Sequence, residues 1–365
     1  MNSVDSPPIP AAPHCAVVGA GIAGLACASV LRQAGCTVSV FEKSRGPGGR
    51  MSTRRGWAVD GSPIWQCDHG AQYFTARDPV FRAEVLRWQQ AGVAALWQPR
   101  LKVFDAAATR ASDAPLERWV GTPGMNAPAR WLGETLNVHT GSTVQALHYE
   151  AAHWSVSTAE QGRLPARFDA LVLALPAPQA APLLRGAIAA TAATPEAPAA
   201  PAALAALGTL GTLADSAIMR ACWAVMLRFA VPPALPFEAA FVNHGPLRWI
   251  ACDSAKPGRG ITAPTWLLHA SAAWSEAHLE DDAEHVAAAL LAAFRELGGA
   301  APQHWSTHRW RYADTETPLQ LGCAWQARPR VGLCGDWLNG GKVEGAWLSG
   351  QRLAQQMLQS WAGAS

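Results

Sequence analysis

The chain has 365 residues, half of them hydrophobic, with 29 basic and 27 acidic side chains and a net charge of +2. Such a length suits about two domains around a sizeable core, while the near balance of charge excludes the broad basic field that nucleic acid requires. No apolar run approaches the roughly 20 residues of a membrane helix, and the opening segment, MNSVDSPPIPAAPH, lacks the charged and apolar regions of a secretion signal, so a soluble, cytoplasmic protein is expected.

Residues 16–18 are a short apolar run suited to a buried parallel strand, and Gly19-Ala20-Gly21-Ile22-Ala23-Gly24 follows it where the strand would hand over to a helix. In this G-x-G-x-x-G pattern Gly19 allows the tight turn, Gly21 lets a pyrophosphate approach the backbone, and Gly24 lets the helix pack on the sheet. The helix N-terminus offers free N–H groups to phosphate. A second strand, 37–41, ends at Glu42, with Lys43 next, at the spacing where an acid bonds an adenosine ribose. The unit reads as a dinucleotide site, with a ligand-free βαβ turn as the plainer alternative. A further glycine turn, Arg45-Gly46-Pro47-Gly48-Gly49-Arg50, comes directly after.

Residues 57–74 end in Asp68-His69-Gly70-Ala71-Gln72-Tyr73, and apolar spacing predicts a helix over 79–92. Trp119-Val120-Gly121-Thr122-Pro123-Gly124-Met125 leads into a helix expected over 126–136, and 137–149 with 153–158 alternate like hairpin strands. A continuous apolar strand is expected over 168–175. The alanine- and proline-rich stretch 177–214 reads as helical turns interrupted by proline. Strands at 221–229, 239–243, 247–253 and 265–271 follow without intervening helices, which predicts an antiparallel sheet, and a covering helix is expected over 281–297. The last motif, 331–350, repeats strand, Gly335-Asp336 turn and helix start near Val343. The eight cysteines never fall in C-x-x-C spacing and read as buried thiols, and no metal is assigned.

These motifs together resemble the bacterial renalases, in the amine-oxidase branch of the glutathione-reductase-type flavoproteins. The likeness spans about 15–357 and rests on R-G-P-G-G-R at 45–50, which resembles an R-x-G-G-R motif with one residue more, D-H-G-A-Q-Y at 68–73, W-V-G-T-P-G-M at 119–125, S-A-K-P-G-R at 254–259 and C-G-D-W…V-E-G-A-W at 334–347. It implies an α/β fold: a Rossmann-type FAD-binding domain assembled from 13–76, 125–180 and 326–362, an antiparallel-sheet substrate domain from 77–124 and 215–325, and a connection at 181–214. It implies non-covalent FAD, since no cysteine lies between Trp337 and Trp347. Gly49 and Arg50 would lie by the diphosphate, and His69, Gly70, Ala71 and Gln72 by the flavin ring. Val144 would meet the adenine, Asp336 the ribityl or phosphate side, and the helix start at Val343, Glu344 and Gly345 the flavin C2 carbonyl, where a positive dipole end stabilises the charge of reduction. Gln72, Tyr73, Asp253, His269 and Trp347 would shape and orient the substrate. The implied reaction is oxidation of 2- and 6-dihydro isomers of NAD(P) to NAD(P)⁺, with hydride transfer to flavin and O2 reduced to H2O2, by a monomer or homodimer. A flavin amine oxidase and a non-catalytic flavin-binding protein stay open as alternatives.

Overall fold

A six-stranded sheet organises the nucleotide half, in the computed structural model that describes residues 12–61, 63–105, 109–111, 116–193, 200–260 and 263–362. The opening segment and the centre of the alanine–proline stretch, 194–199, lie outside these residues. The strand order is Ala324–Gln326, Val331–Leu333, Ala170–Leu173, His14–Val18, Thr37–Glu42, Asn137–Thr140, parallel throughout except for the first pair. His14–Val18 is buried on both faces, which is why it reads as an unbroken apolar run. The helix Ile22–Gln33 and the C-terminal helix Lys342–Ala362 pack together on one side. A Cβ on Gly350 would strike the backbone of Ala23, so a bare backbone there sets the close approach.

The expected hairpin 137–158 divides. Asn137–Thr140 adds to the parallel sheet beside Thr37–Glu42, whereas Val144–Glu150, His153–Thr158 and Gly162–Arg163 form a separate antiparallel meander. Gly141, with φ +62°, breaks the strand between them. The alanine–proline stretch forms two helices, Ala177–Ala192 and Ala200–Asp215, whose Leu184, Leu207 and Leu210 join the core under the meander. Pro182 sits within the first helix without ending it.

The second sheet has seven strands, in the order His304–Thr315, Met219–Arg228, Thr265–Ala270, Leu247–Cys252, Ala239–Val242, Leu101–Phe104, Thr109–Ala111. It is mixed and not purely antiparallel, because Ala239–Val242 runs parallel to Leu101–Phe104. The longest strand, His304–Thr315, carries too many polar residues to announce itself by alternation. The helix Ala283–Glu296 covers one face through Val286, Leu290 and Phe294. The period-two alternation of strands turns Trp249, His269, His308 and Trp310 to the opposite side, toward a cavity shared with the nucleotide half. No helix among the described residues is long and apolar enough to cross a membrane.

Candidate active site

One cavity of about 2220 Å³ runs from the glycine turn at 19–24 to the face of the seven-stranded sheet, more than twice the upper range of about 1,000 Å³ for a drug-sized ligand. Its nucleotide end has the three glycines in distinct roles. Gly19 has φ +103°, and a Cβ there would lie 2.6 Å from the Ala174 carbonyl oxygen. A Cβ on Gly24 would collide with the Gly19 carbonyl, while one on Gly21 would meet nothing within 4 Å. Gly19 and Gly24 are therefore demanded by the fold, and the space over Gly21 is left for a ligand. Gly21 is also the N-cap of a helix with no capping side chain and no acid in its first turn, so its N–H groups and positive dipole end face the cavity.

Glu42 is oriented by two backbone donors, Ala20 N to Oε2 at 2.9 Å and Ser44 N to Oε1 at 2.8 Å. Each oxygen keeps a lone pair for a ribose hydroxyl. Lys43, Gly49 and Val144 line the same end, whereas the Ala20 side chain is buried. Arg50 and Asp336, read separately in the sequence, form a bidentate pair, Nη2–Oδ1 2.5 Å and Nη1–Oδ2 3.1 Å, that ties the second glycine turn to the Gly335-Asp336 turn across the cavity wall. At the start of the C-terminal helix, Val343, Glu344 and Gly345 line the cavity, but the Glu344 carboxylate is turned away to accept from Arg77 N at 2.6 Å and Asp78 N at 2.7 Å. The free helix terminus, the oriented acid and the open glycine cradle fit a dinucleotide such as FAD.

The loop 68–73 crosses the middle of the cavity and rests on a buried ion cluster. Asp68, Asp253, Lys256 and Arg259 have side chains at most 1 % exposed. Lys256 Nζ lies 3.1 Å from Asp68 and 2.7 Å from Asp253, and Arg259 Nη2 lies 2.5 Å from Asp68. Asp68 also accepts from Thr53 Oγ1 at 2.6 Å and Met125 N at 2.9 Å, and Arg259 donates to the Gly121 carbonyl at 2.8 Å. Three of the sequence motifs, at 68–73, 119–125 and 254–259, thus meet in one cluster that holds them together. Burial opposes ionisation of Asp68, yet Lys256 and Arg259 hold its carboxyl below the usual range. Burial and the neighbouring Asp68 push Asp253 up to about 6, and neither of its oxygens accepts a well-formed hydrogen bond.

This geometry revises three substrate residues. Asp253 is 0 % exposed and belongs to the cluster, off the cavity wall. Gln72 reaches the wall, but its amide is committed inward: Nε2 donates to the Asp68 and Gly70 carbonyls, and Oε1 accepts from Lys256. Trp347 is 4 % exposed and packs on Phe81 in the core, because the helix that carries it turns that face to the helix Pro79–Gln90. Tyr73 and His269 do line the cavity. Tyr73 joins an aromatic panel with Trp249 and Phe241, ring centroids 5.6 and 4.8 Å apart in sequence. His269 Nε2 donates to the His69 carbonyl at 3.0 Å, which also accepts from Trp310 Nε1 at 2.8 Å. His269 therefore positions the 68–73 loop.

His308 and Trp310 were missed in the sequence, since nothing marked the strand His304–Thr315. His308 and His269 pair with the same residue, Ala224, from opposite sides, which sets them in one row of the sheet. Arg54 Nη2 donates to His308 Nδ1 at 3.2 Å, leaving Nε2 to carry the proton. His69 stacks on Trp310. Burial lowers all three imidazoles, His69 to about 3 and His269 and His308 to about 4, so they are neutral near pH 7. Around them the wall carries Arg54, Arg248, Arg309 and Arg311, while Asp314 is its only carboxylate from the seven-stranded sheet.

Comparison with known proteins places this geometry. Residues 17–86 match an NAD(P)-binding Rossmann-like domain, and residues 106–358 match the family described as flavin containing amine oxidoreductase. Among curated proteins, a hydroxyneurosporene desaturase of Rubrivivax gelatinosus is 41 % identical over 102 residues, 24 % of this chain and 18 % of its own. The MnmC protein of Magnetococcus marinus, a bifunctional protein of tRNA 5-methylaminomethyl-2-thiouridine biosynthesis, is 31 % identical over 209 residues, 46 % of this chain and 30 % of its own. The matches thus span less than a third of either relative. Similar solved structures include a putative protoporphyrinogen oxidase from Exiguobacterium sp. 255-15, with TM-score 0.71 and 11 % identity, covering 95 % of this chain and 99 % of that one. Cyclohexylamine oxidase from Brevibacterium oxydans IH-35A superposes with TM-score 0.69 and 13 % identity, covering 96 % and 100 %.

Proposed function

The chain belongs to the flavin containing amine oxidoreductases, and from that premise we propose that it is a renalase-like oxidase of the 2- and 6-dihydro isomers of NAD(P), which it returns to NAD(P)⁺ while O2 becomes H2O2. Its cofactor is FAD, held without a covalent bond on this reading. Bound FAD supplies a two-electron acceptor for hydride. The observation that carries the proposal is the cavity lining around the loop 68–73: an aromatic cluster of Tyr73, Trp249 and Phe241, whose rings are tilted 52° and 63° to one another in turn, with neutral histidines and a rim of arginines. A planar dihydropyridine suits this aromatic cluster, and the phosphates of a dinucleotide suit Arg248.

A dihydropyridine already donates hydride, so the side chains have only to bind and orient it. Tyr73 and Trp249 give the ring apolar contact from two directions, and His269 and Trp310 hold the His69 carbonyl so that the loop keeps its course. No group on the wall has to remove a proton. The eight free thiols support a reducing, cytoplasmic setting.

A flavin amine oxidase is the second reading, favoured by the family match itself. Of the two candidates for the lysine that such enzymes often place near flavin N5, Lys256 is fully buried among carboxylates and off the cavity, while Lys342 lines the cavity with its ammonium 2.8 Å from Asp314. The deciding experiment is anaerobic mixing of the FAD-loaded protein with each dihydro isomer and, separately, with simple amines, following the visible flavin band. Bleaching by an isomer, with NAD⁺ formed and peroxide released on aeration, is expected. Bleaching by amines alone would replace this reading with the second.

A further inference from the structure

We propose that His278, Asp281 and His285 form a binding site for a zinc-class divalent cation on the outer edge of the seven-stranded sheet. His278 caps the end of the helix Ala272–Ala277, and Asp281 and His285 bracket the start of the helix Ala283–Glu296. One ligand atom from each side chain lies within 4.8 Å of the other two. His278 Nδ1 is 2.7 Å from Asp281 Oδ2, and His285 Nε2 is 3.6 Å from the same oxygen. Tetrahedral zinc with bonds of about 2.0–2.1 Å sets its ligand atoms about 3.3 Å apart, so the His278–Asp281 pair would open slightly and the exposed His285 ring would turn inward to complete the set. His278 would coordinate through Nδ1 as the neutral imidazole with its proton on Nε2, and its contact with Asp281 Oδ2 would give way to the shared cation.

The surroundings hold the ligands in place. The His278 ring stacks on Trp274, with centroids 4.2 Å apart and planes 26° apart, and its carbonyl accepts from Trp223 Nε1 at 2.9 Å. Asp282 caps the second helix by accepting from His285 N at 2.8 Å. Two imidazoles and one carboxylate select a borderline cation over magnesium or calcium, which prefer all-oxygen sets. Three protein ligands leave the fourth position to water. The site is also tied to the cavity, because the same turn carries Glu280, whose carboxylate holds Arg309 at 2.9 Å and Arg311 at 2.6 Å.

Equilibrium dialysis of the FAD-loaded protein against Zn²⁺ tests this, with Asp281→Asn, His285→Gln and the exposed-loop control His244→Gln beside the parent. The expected result is one Zn²⁺ per chain in the parent and the control, weakened at least about tenfold in both triad variants. A Zn²⁺-dependent rise in Tm should follow the same pattern. Zn²⁺ retained unchanged by both triad variants would assign it elsewhere, to the thiols for instance, and overturn the proposal. Absence of binding by the parent up to about millimolar Zn²⁺, or about 4 kcal/mol of affinity, would overturn it equally.

Discussion

Gly21 and Gly24 lie three residues apart in one motif, yet a side chain added at each meets opposite surroundings. Gly24 faces the Gly19 carbonyl and Gly21 faces empty cavity. Gly21→Val is therefore expected to leave the apoprotein's Tm almost unchanged while weakening FAD retention by at least about tenfold, or about 1.4 kcal/mol; a flavin-release titration beside a melt of the apoprotein checks both halves. Lys256 is a different case. Its ammonium is the counter-charge shared by Asp68 and Asp253, and removing one member of a buried ion group leaves the others uncompensated. Lys256→Met should cost about 3–5 kcal/mol in denaturant unfolding. A loss below about 1 kcal/mol would mean that water reaches the cluster.

Between elements, Glu344 is the joint that connects two helix starts. From the first turn of the helix Lys342–Ala362, it accepts two backbone N–H groups just ahead of the helix Pro79–Gln90. Glu344→Ala should cost about 1.5–3 kcal/mol, the range for hydrogen bonds to a charged group, and Glu344→Gln should recover part of it, both read by denaturant unfolding. The parent and the glutamine variant unfolding alike would show that the charge adds nothing. The seven-stranded sheet makes a similar point about legibility. Its strands at 239–242, 247–252 and 265–270 were readable because buried apolar residues dominate them, whereas His304–Thr315 places half-buried polar residues along most of its length. The strand that supplies His308, Trp310, Arg309 and Arg311 was for that reason the one left unread. The metal triad escaped notice likewise, since its three residues straddle a helix boundary that periodicity does not locate.

For the whole molecule, the buried histidines fix a direction of pH dependence. His69, His269 and His308 have folded values of about 3, 4 and 4 against an ordinary 6.5. The unfolded chain then binds more protons than the folded one between roughly pH 6.5 and 4, so stability falls as pH drops through that window. Asp253, raised to about 6 from 3.8, works the other way over about pH 4–6, since its folded form holds the extra proton there. Three groups outweigh one, and Tm should decline from pH 6.5 toward pH 4. His308→Phe, which removes one titrating ring from the set, should flatten that decline; an unchanged slope would show that His308 is already solvated.

The sequence by itself determined the βαβ unit, its glycine turn and Glu42, because a buried parallel strand, a tight turn and a close helix contact each restrict the residue types at fixed local spacing. It also pointed to the closing motif at 331–350 and to a second sheet. The tertiary structure alone decided what the charged motif residues do. Asp68, Asp253, Lys256 and Arg259 come from segments nearly 200 residues apart, and whether each meets ligand, solvent or one another depends on how those segments pack. The same holds for Trp347, whose place in the core is set by which face of its helix meets Phe81. Spacing along the chain carries backbone geometry, whereas burial and charge pairing are properties of the assembled fold.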